Sequence, residues 1–67
     1  MSLYYFITRY LYPGEKIRVY CYGVLCIEDE RRREVELNGK YESLMKKDVV
    51  RILSKDTIPG TIIIYVE

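Results

Sequence analysis

Leu3 to Ile27, LYYFITRYLYPGEKIRVYCYGVLCI, is the stretch on which the reading of the fold turns. It holds six of the eight tyrosines, the single phenylalanine and both cysteines. From Leu3 to Tyr12 the β-branched and aromatic side chains favour a strand, although no polar face alternates with the apolar one. Pro13-Gly14 then supplies turn chemistry, because proline presets the first central φ and glycine accepts a positive φ at the second. The stretch reads as one long β-hairpin, with strands near 3–12 and 16–27. Its connection is either a two-residue turn or a longer loop around Pro13-Gly14.

A symmetric turn pairs Tyr12 with Glu15 and sorts the side chains. Tyr4, Phe6, Thr8, Tyr10, Ile17, Val19, Cys21 and Gly23 form a nearly uncharged face, the expected core side. Leu3, Tyr5, Ile7, Arg9, Leu11, Lys16, Arg18, Tyr20, Tyr22 and Val24 form the other, aromatic at one end and basic at the other. A one-residue slip would change every partner.

Downstream the apolar runs are shorter. Residues 28–36, EDERRREVE, have the propensity for a short helix stopping at Asn38-Gly39. Yet Val35 and Leu37 alternate with Glu34 and Glu36 as on an edge strand, so a turn at 28–32 and a strand at 33–37 are preferred. In 41–54, Tyr41, Leu44, Met45, Val49, Ile52 and Leu53 fall near one side at helical spacing, which predicts a helix. The run Val-Val-Arg-Ile-Leu leaves a strand open there. Residues 56–60, with Pro59-Gly60, predict a loop, and Thr61–Val66 a buried central strand. The expected fold is α+β: a small two-layer β-β-β-α-β domain built on the long N-terminal hairpin. The alternative is an SH3-like all-β barrel in which 49–54 is a strand.

Sixty-seven residues make a single small domain whose core is marginal, since so short a chain buries only about 60% of its unfolded surface. Eleven basic against ten acidic residues exert no general pull on nucleic acid or anionic lipid, so such a preference needs a local patch. No apolar run approaches the roughly 20 residues that span a bilayer. No basic, apolar and small-residue leader pattern opens the chain, although Met1–Leu3 could be partly foreign to the natural sequence. Cys21 and Cys26 lie five apart, on opposite faces of a continuous strand, and read as small hydrophobes of a reducing cytoplasm rather than a bridge.

Catalysis is disfavoured. The chain has no histidine, which removes Ser-His and Cys-His nucleophile pairs. Glu28, Asp29, Glu30, Glu34 and Glu36 lie among three arginines, the pattern of a solvated charged turn. The glycines are isolated and form no phosphate loop. Two cysteines are at most half a tetrahedral metal site. The expectation is therefore no enzyme, no cofactor and no metal.

Two binding readings remain. A hairpin apolar on both faces must cover both, and one helix covers only one. The other leaves an interaction face of Tyr5, Ile7, Arg9, Arg18, Tyr20 and Tyr22, rich in residue types that dominate protein contacts. A protein-interaction or assembly module is expected, with a two-fold homodimer through this face as first partner and another protein as second. The alternative is a small nucleic-acid-binding domain, in which bases stack on the rings while Lys16, Arg9 and Arg18 meet phosphate.

Overall fold

The computed structural model describes residues 1–54 and 60–67. The α+β expectation holds, with the elements distributed differently along the chain. Their order is α1 (Leu3–Tyr10), β1 (Lys16–Cys21), β2 (Val24–Arg31), α2 (Arg32–Leu37), a 3-10 turn (Gly39–Tyr41), α3 (Glu42–Met45), β3 (Val49–Ser54) and β4 (Thr61–Val66). Except for Gly60, the loop expected over 56–60 lies outside the described residues.

The largest correction concerns the opening stretch: residues 3–10 form a helix, so the long hairpin is not there. Ser2 caps it, its hydroxyl oxygen accepting from the Tyr5 N–H at 3.1 Å. Leu3, Phe6 and Ile7 turn to the core while Tyr4, Tyr5 and Arg9 face water. Burying such side chains is worth about 1.5–3 kcal/mol each, enough to override a modest β propensity. Leu11 is already extended, and Pro13 disfavours helix at the residue before it.

A hairpin does exist, one element later. β1 and β2 pair antiparallel around Tyr22-Gly23, whose φ values of 50° and 81° mark a type I′ turn. Pro13-Gly14 instead closes the link between α1 and β1. The first turn of α2 is fastened there, with the Arg32 N–H donating to the Glu15 carbonyl (2.7 Å) and the Arg33 N–H to that of Pro13 (3.1 Å).

Two further expectations change. The strand expected at 33–37 is helix α2, with Val35 buried and an Arg32–Glu36 ion pair of 2.8 Å along its flank. The helix expected over 41–54 survives only in its first turns, where Tyr41 and Met45 are buried as the spacing implied. Val49–Ser54 leave it to pair with β4, since the ladder satisfies their backbone and suits β-branched side chains. The barrel alternative is right about that strand and wrong about closure.

The sheet is open and mixed, in the order β2-β1-β4-β3. Its centre is the parallel pair β1 and β4, flanked by antiparallel β2 and β3. Thr61–Val66 is thus central, as expected. Ile17, Val19, Ile27, Ile64 and Val66 point to one side and meet Leu3, Phe6, Ile7, Val35, Tyr41 and Met45 of the helical layer. The Tyr41 hydroxyl reaches across and donates to the Glu30 carboxylate of β2. Burial first, and this acceptor second, push its pKa up to about 12. No described helix is long and apolar enough to cross a membrane.

Candidate functional site

The helices cover one face of the sheet and leave the other open. Side chains alternate along strands, so wherever the pairing is regular every second residue belongs to this open face. Register sets them in rows across the sheet. Tyr20 of β1 stands beside Tyr65 of β4, with Leu25 of β2 and Arg51 of β3 as outer neighbours. The next row carries Arg18, Ile63 and Leu53, and the one beyond it carries Arg31 and Lys16.

Tyr20 and Tyr65 are stacked, ring centroids 5.2 Å apart and planes 16° from parallel. The Arg51 guanidinium lies over Tyr65 at 6.0 Å from its centroid. Tyr65 is therefore occupied on both ring faces, by its neighbours on β1 and β3. Both tyrosines are half-buried, and one face of Tyr20 is spent within the row.

Arg18 forks onto Asp29, its Nε donating at 3.0 Å and its Nη2 at 2.8 Å. Asp29 owes its position to a bulge in β2: two residues there, Glu28 and Asp29, oppose one of β1, Arg18, and its φ is 53°. The hydrogen bonds from Arg18, then its charge, hold the Asp29 carboxyl below the usual carboxylate range against the opposing effect of desolvation. Of the cations on this face, Arg18 alone has a described carboxylate partner. Arg31 donates to the Gly14 carbonyl (2.8 Å) and Arg51 lies on a ring, and no described carboxylate pairs with Lys16, Arg31 or Arg51.

The six residues expected to share one interaction face lie in four places. Arg18 and Tyr20 are together on the open sheet face. Tyr5 and Arg9 sit on the outer surface of α1, the Arg9 guanidinium 5.7 Å from the Tyr5 ring centroid, on the helix side of the sheet. Ile7 is wholly buried in the core. Tyr22 is exposed on the β1–β2 turn with the Lys47 ammonium 5.6 Å from its ring. The dimer expected through Tyr5, Ile7, Tyr20 and Tyr22 therefore has no single surface to use. Tyr65, Leu53, Leu25 and Arg51 complete the site instead. Alternation in β4 already separated Thr61, Ile63 and Tyr65 from Ile62, Ile64 and Val66, and that signal could have found Tyr65.

Two other places hold exposed groups. A groove on the helix side is lined by Tyr4, Leu37 and Met45, with Glu36, Glu42 and Lys46 around it. Cys26 is exposed beside Lys40 and Lys47, its thiol near the Val24 carbonyl, and both cysteines are free. Neither place gathers polar groups onto one point. No group of three potential metal ligands occurs among the described residues. Comparison with protein-family models, curated proteins and solved structures finds no match for the chain.

Proposed function

We propose that the chain is a non-enzymatic protein-contact module whose working surface is the open sheet face. The observation that carries this reading is the row Leu25-Tyr20-Tyr65-Arg51, an aromatic and aliphatic strip running across all four strands on the face that the described helices do not cover. Tyrosine and arginine held rigid by a sheet are the residue types that anchor protein interfaces, since little rotamer entropy is left to lose on binding. The strip ends in Arg51 and has Lys16 and Arg31 further along the same face, so the partner it fits presents apolar side chains with carboxylates around them. The same charges oppose self-pairing through this face, because a two-fold axis would bring like cations together.

The nucleic-acid reading has less support. A base platform offers free ring faces, whereas Tyr65 is covered on both sides and Tyr20 on one. Arg18 is already committed to Asp29.

Panning a displayed random-peptide library against the chain, with counter-selection on Tyr20→Glu and Arg51→Glu, tests the proposal. Enriched peptides should combine acidic and large apolar residues and lose binding to both variants. Peptides that bind the variants as well as the wild type would remove the sheet face as the site. Salt-sensitive binding of mixed oligonucleotides, lost on Arg18→Ala or Arg51→Ala, would transfer the function to nucleic acid.

A further inference from the structure

The two edges of the sheet are built differently. β2 is guarded by two irregularities in its pairing, one of them at Asp29 with its positive φ, and by the charged run Glu28 to Arg31. Bulges and charges are what keep an edge from accepting another strand. β3 has a single irregularity, at Val50, and then pairs regularly with β4 through Ser54. On its outer side the chain's first residues pair only with its beginning: the Val49 N–H donates to the Met1 carbonyl at 2.8 Å, and Ser2 bridges Asp48. Past that point no described residue pairs with the outer edge of β3. Val50 and Ile52 stand beside it, 54% and 42% exposed, and Arg51 is its only charge.

We propose that this edge is a self-association site, in which β3 of one copy pairs antiparallel with β3 of a second copy. A two-fold axis relating adjacent antiparallel strands stands normal to the sheet, so it pairs one residue with itself. Centred on Ile52, it packs Ile52 on Ile52 and sets Arg51 of each copy opposite Leu53 of the other. Centred on Arg51 it would oppose like charges directly. Near-neutrality is what fits the edge to a second copy, whereas the cationic open face repels one. The product is a continuous eight-stranded sheet with both helical layers on one side and both open faces on the other. This assembly stands independently of what the open face binds.

Strand addition over so short a segment buries well under the about 800 Å² per partner of a stable interface, so the dimer is weak and concentration-dependent. Light scattering from about 10 µM to about 1 mM should show mass rising toward the dimer, with midpoint in the upper part of that range. Ile52→Lys should weaken association at least about tenfold by placing two ammoniums together at the axis, and Tyr20→Glu should leave it unchanged. Amide hydrogen exchange on the wild type gives a reading that needs no variant to fold: protection across 50–54 should rise with concentration. A monomer throughout, a dimer lost on Tyr20→Glu but kept in Ile52→Lys, or exchange at 50–54 indifferent to concentration would each overturn the proposal.

Discussion

Tyr20 and Tyr65 stack across the parallel pair at the centre of the sheet, 5.2 Å between ring centroids, on the face the helices leave bare. The contact joins residues forty-five apart in sequence. It also locks the aromatic strip into one arrangement, so the surface proposed for binding is preformed. A double-mutant cycle on Tyr20→Ala and Tyr65→Ala, read by chemical denaturation, should give a coupling of about 0.5–1.5 kcal/mol beyond the single effects. Additive losses would mean that the rings do not support each other in solution.

Helix α1 makes a sharper forecast, because a strand over the same residues would reverse it. Leu3 and Ile7 are fully buried, while Tyr5 is exposed. Leu3→Ala and Ile7→Ala should each cost about 2–5 kcal/mol, the range for emptying a packed core position. Tyr5→Ala should fall within about 1 kcal/mol of wild type, the scale of its exposed contact with Arg9. In a hairpin with alternating faces, Tyr5 would be as costly as Leu3 and Ile7, so thermal melts of the three variants decide between the folds.

What was legible in the sequence follows from which residues carry a single period. Lys16 to Tyr20 alternates cleanly between charged or aromatic and aliphatic side chains, and its two faces follow from that period, Ile17 and Val19 inward, Arg18 and Tyr20 outward. Thr61 to Val66 likewise reads as a central strand. Leu3 to Leu11 carries two periods at once. Leu3, Phe6, Ile7, Tyr10 and Leu11 recur at helical spacing, but the tyrosines between them are apolar enough to erase the polar face. Ser2 was the deciding signal, an N-cap directly before the first buried leucine. Pro13-Gly14 misled because a proline that ends a helix and one that opens a hairpin look alike in sequence. The true turn at Tyr22-Gly23 places a tyrosine at positive φ, where asparagine or glycine would have announced it. Alternation assigns Tyr65 to a face of β4, but that it stands beside Tyr20 follows only from the parallel pairing, which the sequence does not announce.

That turn is itself a test. Tyr22 at φ 50° is strained for a side chain of its kind, and Gly23 at φ 81° is conformationally free only because it lacks a Cβ. Gly23→Ala should cost about 1 kcal/mol or more although open space surrounds the position, because the penalty lies in the backbone. Tyr22→Asn should be neutral or stabilising despite losing the contact with Lys47. Equal destabilisation by both would point to side-chain packing, which the exposed turn does not offer.

The pair at Asp29 sets an acid-side expectation. Arg18 lowers the folded-state pKa of Asp29 below its ordinary 3.8, so the folded chain releases this proton more readily than the unfolded one. The contribution is present above the unfolded value and disappears as pH falls through the lowered folded one. Denaturation midpoints measured from pH 5 downward should therefore fall less steeply in Asp29→Asn than in wild type. Identical slopes would mean that the ion pair is loosened by solvent, the usual fate of exposed pairs.

Tyr41 sets the alkaline limit, and its sign is opposite in direction. Tyr41 is 7% exposed within the helical layer, and its hydroxyl donates to Glu30. Burial and this acceptor raise its pKa from 10.0 to about 12, so between those values the unfolded state loses the proton while the folded state keeps it. The stabilisation is complete below pH 10 and is lost as pH rises toward 12. Two units correspond to about 2–3 kcal/mol, a large share of the margin available to so small a core. Urea midpoints followed from pH 9 to 12 should drop steeply in wild type. Tyr41→Phe keeps the ring in the core and removes the titrating group, leaving Glu30 without its donor. Its midpoint should start lower at pH 9 and then change much less, so that the two curves converge near pH 12. Parallel curves would show that the alkaline loss does not run through Tyr41, and that Tyr41 is not held by Glu30 in the folded chain.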